Sequence, residues 1–140
     1  MTNTITKIKA LARFLEEPIE DITKEKQDGC FSIGNKEYLV LTDEEADEKA
    51  KDYILESVWA FNADFIIEHS KVLDFDTASE QIVKAIGEQC ESGNEAMLKL
   101  IDNEEEFIED AISTDGRGHF MSTYDGKENE KDEYYIYRTN

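Results

Sequence analysis

The chain of 140 residues has the length of one ordinary domain, and its 39% of hydrophobic residues are enough for a buried core. Its 34 Asp and Glu residues outnumber its 15 Lys and Arg residues, so the formal net charge is −19 at pH 7. A surface this acidic repels phosphates and anionic lipids, which excludes direct binding to nucleic acid or to a membrane surface. The partner that such a charge attracts is a basic protein surface.

The first ten residues hold no apolar run of signal-peptide length, and no stretch approaches the roughly 20 apolar residues of a membrane span. Two cysteines, Cys30 and Cys90, are too few for a disulfide framework. We therefore expect a soluble cytoplasmic protein with two reduced, partly buried thiols. A single disulfide and a reactive thiol are the alternatives.

The first predicted element is an amphipathic helix. Apolar residues recur every three or four positions from Ile5 to Leu15, and Pro18 follows. The polar stretch 20–28 is typical of a loop.

A β-hairpin should follow. The β-prone stretches 31–33 and 38–41 flank the dipeptide Gly34-Asn35, a recognised hairpin turn. Phe31, Ile33 and alternate residues of 38–41 are expected to face the core.

The strongest helix signal begins at Thr42. Thr42 and Glu45 have the spacing of a capping box, in which a hydroxyl and a glutamate satisfy the first N–H groups of a helix. Apolar residues continue at helical spacing to Phe65, and Asn62 is a possible break before a second short helix over 63–69.

Further helices are predicted over 77–90, with Asp76 or Thr77 as the cap, over 96–101, and over 104–112, with Asp102-Asn103 as the cap. The sequence 115–118, Asp-Gly-Arg-Gly, should end the helices.

The carboxy-terminal stretch changes character. Residues 119–124 are consistent with a strand, 127–133 with a charged loop, and Tyr134-Tyr-Ile-Tyr137 with a strand that pairs with the first hairpin and exposes one of its faces. The predicted fold is a single α+β domain over residues 1–140, in which a small antiparallel sheet of three to four strands packs against four or five helices.

No metal, cofactor or catalytic motif is found. The acidic stretch 125–133 lacks the glycine position of a calcium loop, and the spacing of His69, His119, Cys30 and Cys90 does not fit a zinc site. A triad assembled in space from a cysteine and His119 stays a remote alternative. We therefore predict a protein that is not an enzyme, with no cofactor and no bound metal.

The stretch Gly116-Arg117-Gly118-His119 resembles a phosphate-binding loop only superficially, since it lacks the strand, helix and lysine of such loops. A turn that enters the last hairpin is the preferred interpretation. Arg117 and His119 would then orient a partner or neutralise neighbouring acids.

The charge pattern carries the functional content. Residues 42–56 and 102–115 each contain seven acids, and the second stretch contains no Lys or Arg. As helices, each would span roughly 20 Å with about one carboxylate per 3 Å, close to the phosphate spacing of a DNA strand. The alternative is an ordinary solvated helix face. The candidate partner-binding residues are Asp43, Glu44, Asp47, Glu48, Asp52, Glu56, Glu104, Glu105, Glu106, Glu109, Asp110 and Asp115.

Two stretches, 38–62 and 115–126 with the terminal Tyr-Ile-Tyr-Arg-Thr-Asn140, resemble small acidic proteins of bacteriophages and other mobile elements. In size and charge the chain is also similar to phage inhibitors that mimic DNA, the antirestriction and anti-CRISPR proteins. That likeness rests on no motif and transfers no functional residue.

The leading hypothesis is a non-enzymatic inhibitor in the host bacterial cytosol. Its acids would occupy the basic nucleic-acid groove of a host defence nuclease or effector. The alternative is a phage or plasmid accessory protein that binds a basic protein partner for regulation or assembly. A small enzyme with an unrecognised site is a distant third.

Overall fold

The structure is a computed structural model that describes residues 2–140, so Met1 of the predicted domain 1–140 lies outside the described residues. The described chain forms two compact units. The first unit comprises residues 2–50 and 115–140, and the second unit comprises residues 51–114. That the whole chain behaves as one domain stays a prediction.

The fold is α+β, as predicted, with a small antiparallel sheet and several helices. The helices are α1 (Thr2–Leu15), α2 (Asp43–Glu56), α3 (Ala63–Glu68), α4 (Thr77–Gly87), α5 (Asn94–Leu100), α6 (Glu104–Asp115) and α7 (Arg117–Met121). The strands are β1 (Thr23–Lys24), β2 (Cys30–Ile33), β3 (Lys36–Leu41), β4 (Asn129–Lys131) and β5 (Tyr134–Arg138). Single 3-10 turns cover Ile19–Asp21, Val58–Ala60 and Cys90–Gly93. The described residues thus hold more strands and helices than predicted. The additional elements include β1, β4 and α7, which are too short to give a clear sequence pattern.

The first unit contains the whole sheet, in the order β1-β2-β3-β5-β4 with every neighbour antiparallel. The predicted hairpin of β2 and β3 is confirmed, and Gly34 adopts the positive φ of 60° that this turn requires. β5 pairs with β3, also as predicted, and places Ile136 opposite Val40.

The core of the first unit lies between α1 and the sheet. Leu11, Phe31 and Val40 are fully buried there, together with Ile136 of β5. Two expectations about the sheet were wrong. Residues 38–41 are all buried, so this part of β3 is covered on both faces. In β5, Ile136 and Tyr137 are both fully buried, so the centre of this strand also has no exposed face.

Three loop and strand predictions near the chain ends were wrong. Residues 20–28 contain β1, and 127–133 contain β4, which forms a tight hairpin with β5. Residues 119–124 form no strand, since α7 covers Arg117–Met121.

The Gly-Arg-Gly sequence therefore does not end the helices. Gly116 at φ 84° separates α6 from α7, and Gly118 lies inside α7 against the backbone of residues 126–128, where a Cβ atom would clash at 2.6 Å.

The capping box at the start of α2 is confirmed. The Thr42 hydroxyl accepts a hydrogen bond from the Glu45 N–H (3.2 Å), and the Glu45 carboxylate accepts one from the Thr42 N–H (2.9 Å). The same carboxylate accepts a hydrogen bond from Lys7 of α1 at 2.8 Å, and the Lys7 side chain is only 5% exposed. Burial raises the pKa of Glu45, but the hydrogen bonds from Lys7 and Thr42 outweigh it, so the pKa lies below its ordinary value.

Glu45→Gln should lower the free energy of unfolding by about 1–2 kcal/mol at pH 7, a value kept small by the exposure of the carboxylate. Because the folded-state pKa is lowered, the stabilisation is present above the unfolded-state pKa and is lost as the pH falls through the folded-state pKa. Urea unfolding of both proteins should therefore show a difference at pH 7 that shrinks as the pH falls below the ordinary pKa of a glutamate and through the lowered pKa of Glu45. A difference that stays constant with pH would contradict this account.

The second unit is helical, with α4 between α3 and α5. Asn62 caps α3 and Asp76 caps α4, each by accepting a hydrogen bond from a backbone N–H three residues later, at 2.9 and 2.7 Å. The Asn94 side chain accepts a hydrogen bond from the Trp59 N–H and donates one to the Leu55 carbonyl. Buried apolar residues fill the interior: Ile66, Ile67, Val83, Met97, Ile101 and Phe107.

Candidate functional site

All twelve acids that the sequence analysis named as partner-binding residues are exposed. Five belong to the first unit and seven to the second unit. In the first unit these are Asp43, Glu44, Asp47, Glu48 and Asp115, and in the second unit Asp52, Glu56, Glu104, Glu105, Glu106, Glu109 and Asp110. Both acidic stretches therefore contribute residues to both units.

The acids at the start of α2 are partly neutralised by Arg117. Its Nη1 donates to the Oδ1 atoms of Asp43 and Asp47, each at 2.9 Å, and to the Asp43 carbonyl at 3.1 Å. Its Nε donates to Glu128 at 2.8 Å. The Arg117 side chain is 10% exposed, so one largely buried guanidinium is bound to three carboxylates.

Two tyrosines of β5 complete this cluster. The Arg117 guanidinium lies over the Tyr135 ring, 4.7 Å from its centroid, and the buried Tyr137 hydroxyl donates to the same Glu128 oxygen that binds Arg117. Burial and the bond to Glu128 raise the pKa of Tyr137. Burial lowers the pKa of Arg117, but its bonds to Glu128 and Asp43 outweigh this and raise it. Both groups therefore keep their ordinary protonation states at neutral pH.

Of the two roles considered for Arg117, the geometry is that of neutralising neighbouring acids. His119 is exposed and packs edge-on against the Phe120 ring. Glu44 and Glu48 lie one turn apart on α2 and have no ion-pair partner within residues 2–140. They are the acids of this stretch in the first unit that present a free charge.

The second acidic stretch forms α6. Asn103 caps this helix by accepting a hydrogen bond from the Glu106 N–H at 3.2 Å. Glu104, Glu105 and Glu106 occupy its first turn, where the helix dipole stabilises negative charge. Glu109 follows one turn later. None of these four glutamates has an ion-pair partner in the part of the chain that the structure describes.

Asp110 differs from its neighbours on α6, because it faces His69. The His69 Nε2 atom lies 2.9 Å from Asp110 Oδ2, and the His69 side chain is 8% exposed. The alignment is not that of a hydrogen bond, so Nε2 has no hydrogen-bond partner among the described residues. The rings of Phe65 and Phe107 pack around His69 at centroid distances of 5.0 and 5.3 Å. The Asp110 carboxylate therefore lies beside His69, whose ring packs among aromatic side chains of the second unit.

The charge is divided between the two units more unevenly than the two acidic stretches indicated. Residues 51–114 contain 16 Asp and Glu against four Lys and no Arg, so the second unit carries −12 of the net −19. Two of the four lysines are held in ion pairs, Lys71 with Asp102 and Lys84 with Glu80. A count of charge per predicted helix would have shown this asymmetry.

The cysteines are free, and they differ in environment. Cys30 is half-buried, and burial together with Glu37 raises the pKa of its thiol. Cys90 is exposed, which corrects the expectation that both thiols are partly buried. Within residues 2–140 no three His, Cys, Asp or Glu side chains lie close enough together to hold a metal ion.

Comparisons with protein-family models, with curated proteins and with solved structures found no match for this chain. Among the described helices, none has the length and apolar character needed to cross a membrane.

Proposed function

We propose that this protein is a non-enzymatic acidic inhibitor that occupies the basic nucleic-acid groove of a host defence nuclease or effector in the bacterial cytosol. The observation that carries the proposal is the cluster of exposed glutamates in the first two turns of α6. Glu104, Glu105, Glu106 and Glu109 have no cation bound to them within residues 2–140. They lie in the unit that holds −12 of the net charge.

The charge density of this part of α6 supports mimicry of a duplex. From Glu104 to Asp110 the helix rises about 9 Å and carries five carboxylates, those of the four free glutamates and that of Asp110, which faces His69. Double-stranded DNA carries one charge per roughly 1.7 Å of its axis, or about five over the same length. Lys and Arg side chains that evolved to bind phosphate oxygens bind carboxylate oxygens by the same charge-assisted hydrogen bonds.

A competition experiment tests this proposal. A labelled DNA duplex is bound to each of a panel of restriction and CRISPR nucleases, and fluorescence anisotropy follows its displacement by the protein. We expect displacement from at least one nuclease, overcome by excess duplex and weakened by salt. If the protein displaces the duplex from none of them, or binds a nuclease together with its DNA, mimicry is contradicted.

A second candidate function is an accessory protein that binds a basic protein partner for regulation or assembly. It is favoured by Val72 and Phe75, which are 72% and 69% exposed in the second unit. The basic groove of a DNA-binding protein binds phosphates and gains little from large apolar side chains, whereas a protein–protein interface buries such side chains in its core. A complex in which protein, target and DNA are bound together would select this candidate.

A further inference from the structure

Large apolar side chains are presented to solvent by the segment that joins α3 to α4. Val72 and Phe75 are among the most exposed large hydrophobic residues in the described chain. Isolated exposed apolar residues are common, but two within four residues in a strongly acidic unit are less so.

This segment is held by hydrogen bonds. The Ser70 hydroxyl accepts hydrogen bonds from the Val72 and Leu73 N–H groups, both at 3.2 Å. The hydroxyl of Ser79, a buried residue, accepts one from the Asp74 N–H at 3.2 Å. Ser70 also forms a β-bridge with Ile101. The backbone that carries the two apolar side chains is therefore held by local hydrogen bonds, which lowers the entropy cost of ordering this segment on binding.

The exposed face of α4, which follows this segment in the chain, is also apolar. Ala78, Ile82 and Ala85 are exposed and recur at the four- and three-residue steps of one helix face, and Ile82 is 47% exposed. We call Val72, Phe75, Ala78, Ile82 and Ala85 the α4 apolar face. With two alanines in it, this face allows close approach of another helix.

The charge around the α4 apolar face is negative. The two lysines next to its residues in the sequence are bound to carboxylates, Lys71 to Asp102 at 3.0 Å and Lys84 to Glu80 at 2.7 Å. Asp74 and Glu88 are exposed and have no ion-pair partner within residues 2–140. An apolar strip bordered by carboxylates complements an apolar stripe bordered by Lys and Arg.

We infer that the α4 apolar face docks a Lys- and Arg-rich amphipathic helix of the protein partner. The inference rests on the proposed function in taking that partner to be basic. A second copy of this chain is a poor occupant, because each copy carries −19. Anionic membranes are repelled for the same reason.

Two synthetic peptides of about 18 residues test the inference, an amphipathic Lys/Leu helix and a scrambled peptide of the same composition. The test variant is Phe75→Ser with Ile82→Ser. The matched control is Ile5→Ser with Ile19→Ser, which removes two exposed isoleucines (58% and 47%) of the first unit. The test variant should bind the amphipathic peptide roughly tenfold more weakly than wild type, with unchanged binding of the scrambled peptide. The control should bind both peptides like wild type, and thermal melting should show that both variants are folded.

Equal weakening by the test and control variants, or no weakening by the test variant, would overturn the inference. Dimerisation of the wild type would also overturn it, if sedimentation shows that the test variant is a monomer. The α4 apolar face would then bind a second copy of this chain. The α6 variant Glu104→Gln, Glu105→Gln, Glu106→Gln, Glu109→Gln separates this failure from that of the proposed function. One outcome would remove only this inference and leave the proposed function intact. In that outcome the α6 variant loses duplex displacement, whereas the Phe75→Ser, Ile82→Ser variant displaces the duplex and binds the amphipathic peptide like wild type.

Discussion

Deletion of residues 133–140 should abolish the folding of the first unit. The deleted stretch contains β5, which lies between β3 and β4 and hydrogen-bonds to both. It also contains Ile136 and Tyr137, both fully buried. Each buried side chain contributes about 1.5–3 kcal/mol, and the loss of two strand pairings adds to this. The total is comparable to the roughly 5–15 kcal/mol by which a domain is stable.

Circular dichroism and two-dimensional NMR of the truncated chain would show this loss as broadened, poorly dispersed signals for the first unit, or as aggregation. A milder variant, Ile136→Ala, should fold but lose about 2–5 kcal/mol in urea unfolding. A soluble truncated chain with an unchanged cooperative transition would instead make the last eight residues a tail.

Arg117→Ala should lower the free energy of unfolding by about 3 kcal/mol, because Arg117 is a largely buried cation bound to three carboxylates. It removes the cation bound by Asp43, Asp47 and Glu128 and leaves three carboxylates close together. It also leaves the buried Tyr137 hydroxyl bound to a carboxylate without its counter-charge. Arg117→Lys should recover only part of the loss, because a lysine cannot donate in the planar fork that reaches Asp43 and Glu128 together.

The matched control is Arg13→Ala. Arg13 also binds a carboxylate at 2.9 Å, that of Asp132, but its side chain is 61% exposed, so the loss should stay below about 1 kcal/mol. Urea unfolding of the three variants provides the comparison. Equal effects at Arg117 and Arg13 would show that the Arg117 cluster contributes no more than an ordinary surface ion pair.

The elements that could be predicted are those specified by local chemistry. Gly34 fixes the first hairpin, and Thr42 with Glu45 fixes the start of α2. The β4–β5 hairpin has no such signal, because its turn residues Asp132 and Glu133 adopt φ angles of 52° and 69° without a glycine. That conformation costs of order 1 kcal/mol or more for each residue and is imposed by the sheet around it.

The candidate site could be predicted only as a set of charges. Which helices carry acids follows from the sequence, but which acids are bound does not. Arg117 reaches Asp43 and Asp47 across 70 residues or more, a contact that depends on the sheet and on α7. The short helix α7 could not be predicted, because Gly116 and Gly118 are typical of a break between elements. Gly118 instead lies within α7, where the absence of a side chain lets the backbone of residues 126–128 pack against it.

The central claim is that the α6 glutamates substitute for phosphates. The most direct test compares two sets of four Gln substitutions in the duplex-displacement assay, one at Glu104, Glu105, Glu106 and Glu109, the other at Glu16, Glu17, Glu20 and Glu25. Both sets remove four charges, so net charge alone predicts equal effects. The α6 set also removes three first-turn charges of a helix, so folding is verified by melting each variant.

We predict that the α6 set weakens displacement by roughly 100-fold and flattens its salt dependence, because charge-assisted contacts to the target are lost. The control set, in the first unit, should change displacement by less than about threefold. Equal weakening by the two sets would mean that only global charge matters and would contradict the claim, as would displacement that neither set affects.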